Sequence, residues 1–572
     1  MQTKVEPTAS VTSNDHPQQH QSTNDPRPIS FAAGPSMLPP PVLTALSQAV
    51  LSGHGFMNGQ SILEISHRSP YFSAILSNCK NLLAQLCDVS LNDWDILFLP
   101  GGATQQFSAI PLTFGMAVTN NNDSQNNPTI PSAHYCVTGQ WSQRAADEAI
   151  RMGLSVFKHL SDKTKNSQLV QPTMQSTDNA SECNSSKQFQ QKNSISYVYF
   201  CDNETVDGIE YHSYDWLASI KGLKTNATKE SSAQSMVADY GNAQLTATDG
   251  QPNEPKDDNK TRAQTITDIP SNVNAPLIIC DASSSFLSKQ LPMQWLDVVF
   301  AGAQKNIGPA GVTIVMIRKS ALALAKSKQN KNIPLMMDLP LMAEHDSLYN
   351  TPPVFAIYGV QLMLEYLVKT FGKHQETSTD EHFSRELHSE YSSHSSNEHS
   401  NQSITVDISQ SLNELSNEHN TEDNSKASGL HSNINSESFA PLKNEVNCLM
   451  AIAKNTQTKA KMLYDCLDRN ADQVEAIVWD SNARSNVNVV FRFRPYLLPD
   501  GKQCTATEAE NQFLKDAASQ RGPNAPPLID LRGHRSVGGL RASLYNGISV
   551  KQTAELVCFL DGWCHSRRVN TC

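Results

Sequence analysis

The chain has 572 residues, a formal net charge of −11 at pH 7, and 38% hydrophobic content. An acidic balance argues against nucleic acid as a partner. Length alone suggests three or four domains, but several stretches crowded with Ser, Asn and Gln make length overstate the folded core.

Residues 1–28 read as a polar, disordered tail. Apolar residues then recur at helical spacing over 39–51, behind a proline-rich start, and again over 71–86, which predicts two core helices. Residues 95–100 form a short apolar strand that runs directly into Gly101-Gly102-Ala103-Thr104-Gln105-Gln106-Phe107 and a predicted helix. Strand, glycine turn and helix make a phosphate-binding arrangement. Backbone N–H groups at a helix start point outward with the positive dipole end, and glycine lets an anion approach closely. A Gly-Gly pair by itself is weak evidence for such a site. Residues 134–141 read as a strand leading to a helix near Ser142, with Trp141 at the junction. The residues alone leave two readings of that indole, a lid on a planar ring or ordinary core. Residues 196–201 form another strand, followed by the loop Asp202-Asn203-Glu204-Thr205.

Residues 276–281 read as a buried strand that ends in the carboxylate of Asp281, 24 residues before Lys305. Lys305 lies in a turn of small residues, Gly302-Ala303-Gln304-Lys305-Asn306-Ile307-Gly308, between strand-like stretches at 296–300 and 312–317. An amine withdrawn from water in such a pocket becomes available for Schiff-base chemistry. The pairing suggests pyridoxal 5'-phosphate. That cofactor needs an amine to hold its aldehyde and an anion to keep its pyridine nitrogen protonated as an electron sink. Strands alternating with helices, with ligand groups at strand ends, imply an α/β fold with a largely parallel sheet and a site along its C-terminal edge.

Beyond Tyr349-Asn350-Thr351-Pro352-Pro353, a helix over 356–371 leads toward a smaller C-terminal α/β domain. Its expected elements are helices at 442–467 and 507–521 and a strand at 487–493, with Thr507 and Glu510 at capping-box spacing. The expected division is a large domain over 29–355 and a small one over 356–572. Stretches at about 161–194, 224–274 and 376–442 are too polar to offset their ordering entropy by burial, and read as disordered insertions. The last holds twelve Asp or Glu against Arg385 and Lys426, which is nearly all of the net charge. Closing a loop of that size costs only about 2 kcal/mol more than a short connection, because closure entropy grows logarithmically.

Seven of the 17 histidines lie between His374 and His431, but their spacing is irregular, and no metal site is expected. Twelve cysteines are scattered without a C-x-x-C pair, and no basic-then-apolar leader opens the chain, so a reduced, cytoplasmic protein is expected. No apolar run approaches the ~20 residues that span a bilayer, so no membrane role is expected.

The motifs Gly302-Ala303-Gln304-Lys305-Asn306-Ile307-Gly308-Pro309, Asn203-Glu204-Thr205, Asn350-Thr351-Pro352-Pro353, and 533–546 (GHRSVGGLRASLYN) resemble those of the phosphoserine aminotransferases, class V, fold-type I pyridoxal-phosphate enzymes. The resemblance runs from about residue 29 to 563 and is interrupted by the polar stretches. It implies that Ala103 and Thr104 meet the cofactor phosphate, Trp141 stacks on the ring, Thr205 hydrogen-bonds its phenolic side, and Gln304 and Lys305 hold it with Asp281. It also implies that Asn350 and Thr351 reach the cofactor of the opposite subunit, hence a homodimer. Two positions depart from the family pattern. Thr104 is often another small residue or an arginine, and Ala33 replaces a serine found in some relatives, which removes a hydrogen bond worth roughly 1 kcal/mol.

A phosphorylated 2-oxo acid carries two anionic ends and needs two cationic subsites, for which planar guanidinium forks are suited. Arg541 is assigned to the α-carboxylate. His534, Arg535, His67 and Arg68 are assigned to the phosphate or to the γ-carboxylate of glutamate; without the resemblance these clusters also read as charged surface loops. The expected reaction is reversible amino transfer from L-glutamate to 3-phosphooxypyruvate, with a four-carbon homologue on the route to pyridoxine. The rivals are another class V enzyme, such as an alanine–glyoxylate type aminotransferase or a cysteine desulfurase, and a non-catalytic scaffold on the same fold.

Overall fold

The computed structural model describes residues 27–51, 59–115, 132–160, 195–222, 275–328, 330, 332–372, 446–497, 502–519 and 525–569. The tail through residue 26 and the three polar stretches expected to be disordered lie outside the described residues.

A seven-stranded sheet is built from β1 (Trp94–Pro100), β2 (Ser132–Val137), β3 (Ser155–Leu160), β4 (Ile195–Cys201), β5 (Leu277–Asp281), β6 (Val298–Gly302) and β7 (Val312–Arg318). Its order is β1-β7-β6-β5-β4-β2-β3. Strands β2 to β6 are mutually parallel, while β7 runs antiparallel to both β6 and β1. The turn containing Lys305 explains that exception. A connection this short can only fold a strand back as a hairpin, whereas a parallel neighbour requires a crossover.

The central strands read as continuous apolar runs because both faces of the sheet are covered. Ile96, Phe98, Val198, Phe200, Ile278 and Val299 point to one face, packed under α1 (Pro40–Leu51), α2 (Pro70–Leu86) and α4 (Val354–Phe371). Leu97, Leu99, Tyr197, Tyr199, Ile279 and Phe300 point to the other, with Ala145, Ala146 and Ala149 of α3 (Gln140–Arg151). Period-two alternation thus produces a three-layer α/β/α arrangement. By length and composition α4 is apolar enough to cross a bilayer. Its Ile357, Val360, Met363, Leu364 and Leu367 are instead buried in the first core.

A second core surrounds a three-stranded antiparallel sheet of β8 (Val474–Ala476), β9 (Asn488–Phe493) and β10 (Leu540–Ser543). Leu463 and Leu467 of α5 (Val446–Arg469), Phe513 of α6 (Ala506–Ala518), and Leu556 and Leu560 of α7 (Val550–Val569) pack on Val489 and Phe491. Two segments tie the cores together. Ile29–Ser30 pairs in parallel with Leu528–Ile529, so Ile29, Phe31 and Met37 join the second core. Helix α5 contributes Cys448, Leu449 and Ile452 to the first core and Ala460 to Leu467 to the second.

The capping box of α6 lies two residues earlier than the sequence suggested. Thr505 caps the helix by accepting from Glu508 N–H, and Glu508 accepts from Thr505 N–H at 2.7 Å. Both Thr505-x-x-Glu508 and Thr507-x-x-Glu510 satisfy the spacing, and burial decides between them. Glu510 lies on the helix face turned toward the core, beside buried Ala509 and Phe513.

Candidate active site

The C-terminal ends of β4, β5 and β6 meet at one cavity, because Cys201, Asp281 and Phe300 are in register across the three strands. Ala103 and Thr104 reach it from the turn after β1, Trp141 from the first turn of α3, and Thr205 from the loop after β4. Asp281 ends β5 at its wall, and Gln304 and Lys305 enter from the hairpin turn.

Lys305 Nζ donates to Thr205 Oγ1 at 2.8 Å and to Ser284 Oγ at 2.9 Å, and sits 5.8 Å from the centre of the Trp141 ring. The turn itself is held from outside. Ser36 Oγ donates to Lys305 O at 2.5 Å, Ser36 N–H to Gln304 O, and Asn306 Nδ2 to Ser284 O. Asp281 Oδ1 accepts from Ser283 N–H at 3.0 Å and Ser283 Oγ at 2.6 Å, and Tyr199 OH approaches Oδ2 at 3.4 Å. Burial pushes the Asp281 carboxyl above the usual range, against the bonds from Ser283 and the charge of Lys305. A carboxylate held in such a place is stabilised by any cation set against it.

The glycine turn is anchored by Gly101 N–H to Gly311 O at 3.0 Å, and by Thr313 Oγ1 to Gly101 O. Gly101 has φ +101°, which a side chain would strain, and an added Cβ on Gly102 would meet open space. The short 3-10 turn Ala103–Gln105 begins there with no side-chain cap on its first N–H groups.

Beside this cavity lies a cationic cluster. Arg541 of β10 donates from Nη1 to Thr205 O at 3.3 Å. Burial lowers the pKa of Arg541, and its Nε is buried without a partner. Burial, then the charges of Arg541, Arg144 and Arg535, lower that of His534. His534 Nδ1 pairs with Ser536 Oγ at 2.6 Å, and Gln140 of α3 bonds the same hydroxyl. Sequence reasoning did not single out Arg144, which lies 4.9 Å over the Trp141 ring.

Seven expected residues do not line this cavity: Arg541, His534 and Arg535 belong to the cluster beside it, and four others to neither. His67 and exposed Arg68 sit in the loop before α2, where Ser69 caps the helix through Phe72 N–H. Asn350 and exposed Thr351 sit in the loop before α4. A wider surface groove bordered by α5 and residues 481–486 is also polar, but Lys461 pairs there with Asp465 and Arg484 with Asp468.

The donor set fits pyridoxal phosphate. An amine and a buried carboxylate face one cavity with an aromatic wall and a glycine turn. The Trp141 indole N–H and both polar atoms of Asn203, also on the cavity wall, are buried without partners, as suits a polar ligand.

Comparison with known proteins agrees with that chemistry. Residues 261–411, which include both Asp281 and Lys305, match the model of the family Aminotransferase class-V. The chain is similar along nearly its whole length to phosphoserine aminotransferases. It is 27% identical to a probable phosphoserine aminotransferase of Dictyostelium discoideum, over 94% of this chain and 97% of that protein. It is 29% identical to a probable phosphoserine aminotransferase of Caenorhabditis elegans, over 94% and 96%. Among solved structures, phosphoserine aminotransferase from Bacillus circulans subsp. alkalophilus superposes with a TM-score of 0.58 at 23% identity, covering 95% of this chain and 99% of that one, and so shares the fold.

Proposed function

We propose that this protein is a pyridoxal-phosphate-dependent phosphoserine aminotransferase. It exchanges the amino group between L-glutamate and 3-phosphooxypyruvate, giving 2-oxoglutarate and O-phospho-L-serine. The observation that carries the reading is the convergence of Lys305 and buried Asp281 on one cavity beside Arg541, His534 and Arg535. The similar proteins named phosphoserine aminotransferase support the choice of substrate.

When bound, the cofactor supplies the electron sink that lets a Cα proton of an amino acid leave. Lys305 Nζ, held in place by Thr205 Oγ1 and Ser284 Oγ, would move the proton from the donor's Cα to the cofactor in one half-reaction and from the cofactor to the acceptor's Cα in the other. Asp281 would keep the pyridine nitrogen protonated, and Ser283 fixes the orientation of its carboxylate. Arg541 orients the α-carboxylate, while His534 and Arg535 take the far anion. The four-carbon phosphorylated homologue, on the route to pyridoxine, suits the same two subsites.

His67, Arg68, Asn350 and Thr351 act on the cavity of a second copy, in a homodimer with shared sites. Their absence from both the cavity wall and the cationic cluster beside it supports this. So does the exposure of Leu51 (82%) and Leu63 (63%), whose segments are joined by Ile62 N–H to Ala49 O. A reducing cytoplasm suits the buried thiols of Cys79, Cys87, Cys136 and Cys280.

Purified protein should absorb in the visible, and glutamate should bleach that band, with the amino group passing on to phosphooxypyruvate. A protein that transaminates glyoxylate but not phosphooxypyruvate would instead be an alanine–glyoxylate type enzyme, and a colourless one a scaffold.

A further inference from the structure

Two acids of the loop after β4, Glu204 and Asp207, face the start of α3 and have no role in the proposed reaction. Glu204 is completely buried, and both its oxygens are turned to the start of α3. Its Oε2 accepts from Trp141 N–H at 2.9 Å, and its Oε1 from Ser142 N–H at 2.9 Å and Ser142 Oγ at 2.5 Å. Asp207 Oδ2 accepts from Gln140 N–H at 2.8 Å. The first three N–H groups of the helix that bears the indole are therefore all held by carboxylates from one loop.

Gly139 makes the approach possible. A Cβ there would lie 2.4 Å from Asp207 Oδ2 and 2.6 Å from Glu204 Cδ, so any side chain would push the helix off the loop. The next residue of the same loop, Thr205, accepts from Lys305 Nζ through Oγ1 and from Arg541 Nη1 through its carbonyl.

This arrangement is costly if its purpose is only to cap a helix. A serine or asparagine cap satisfies such N–H groups without burying charge. Here two acids are brought together, and burial together with the neighbouring Asp207 lifts the Glu204 carboxyl to about 7. The cost is consistent with a demand for rigidity at this junction.

We infer that Glu204 is a positioning residue: it locks the Trp141 indole to the same loop that holds Lys305 Nζ, so that the ring-stacking wall and the amine are set by one element. The inference rests on the proposed cofactor reading, and assigns Glu204 no contact with substrate or cofactor.

The test uses the full chain, freed of cofactor and titrated with pyridoxal phosphate, reading the dissociation constant and the induced circular dichroism of the visible band. Glu204→Gln keeps the size of the side chain but turns a donor toward Trp141 N–H or Ser142 N–H. It should weaken binding roughly tenfold, the scale of one lost charge-assisted hydrogen bond, and reduce the induced dichroism. Gly139→Ala, which disturbs the same contact from the helix side, should do likewise. In a Trp141→Ala background, Glu204→Gln should have no further effect on binding, because the indole it places is gone. Wild-type affinity and dichroism in Glu204→Gln, or an equal loss in both backgrounds, would overturn the inference and leave the proposed function standing. A wild-type chain that takes up no pyridoxal phosphate would overturn the proposed function, and this inference with it.

Discussion

Lys305 has two polar partners and one aromatic neighbour, and each comes from a different part of the chain: Thr205, Ser284 and Trp141. Replacing it by alanine removes the proton carrier but leaves the Asp281 carboxylate, the indole and the glycine turn in place. Lys305→Ala should still bind pyridoxal phosphate, while glutamate turnover falls roughly 100- to 10,000-fold, the usual contribution of a positioned acid/base. Single-turnover kinetics followed at the visible band would decide it, and a near-wild-type rate would mean that another base operates. Ser283 supports Asp281 through two bonds to one oxygen, in a place where burial already disfavours the charge. At this scale the sequence exposed the ionisable centres, Lys305 and Asp281, because a charged residue among apolar and small ones is conspicuous. It did not expose Ser283, Ser284, Ser36 or Glu204. Serines are common in this chain, and their importance here depends on distances that spacing does not encode.

At the scale of elements, two interactions hold the second core in the form that carries Arg541. Thr505 and Glu508 close a reciprocal box at the start of α6. Thr505→Ala should destabilise the protein by about 1 kcal/mol, measured by urea unfolding, whereas Thr507→Ala should change little. Lys459 of α5 is a stronger case. Its ammonium is buried and donates to Leu544 O, Tyr545 O and Ile548 O at 2.8 to 3.0 Å, fixing the turn that follows β10. The same turn reaches the Lys305 loop through Asn546 N–H to Asn306 Oδ1. Burial pulls the Lys459 amine down to about 7 from the ordinary 10.5. Between those values the unfolded chain binds the proton that the folded protein gives up, so this group makes stability rise with pH by up to about 1.4 kcal/mol per unit. Lys459→Met should abolish that rise and cost on the order of 3 kcal/mol at neutral pH, since three carbonyls lose their donor. An unchanged pH profile in the variant would show that the lysine stays charged throughout. Helix periodicity located α5 and α6 from the sequence, but one lysine inside a predicted helix is indistinguishable from its solvated neighbours until the facing carbonyls are known.

For the molecule as a whole, the proposed shared site makes a strong prediction. Lys305→Ala and the double variant His67→Ala, Arg68→Ala should each be nearly inactive as homodimers. Mixed after dissociation and refolding, they should recover up to about a quarter of wild-type activity, because half of the hybrids' sites are intact and hybrids form about half of a random mixture. No recovery would mean that His67 and Arg68 serve their own subunit or none. Deleting residues 376–438 should leave turnover within about twofold of wild type, because the flanking chain packs in the first core through Leu367 on one side and Cys448 on the other.

The sequence by itself determined the class of fold and the chemistry of the centre. Alternating apolar strands and helices require a covered sheet, and the pairing of Lys305 with Asp281 suggested a cofactor that uses both. The antiparallel β7 was implicit in the shortness of the Lys305 turn. Only the tertiary structure decided which hydroxyls hold the amine, that Arg144 joins the cationic cluster, and that Glu204 grips the helix bearing Trp141. It also decided that four expected binding residues lie away from both their own cavity and the cationic cluster beside it. The physical reason is range. Periodicity and composition report on neighbours a few residues apart, whereas Lys305 with Thr205 and Arg541 with Thr205 are contacts across 100 and 336 residues, made only when the chain closes on itself.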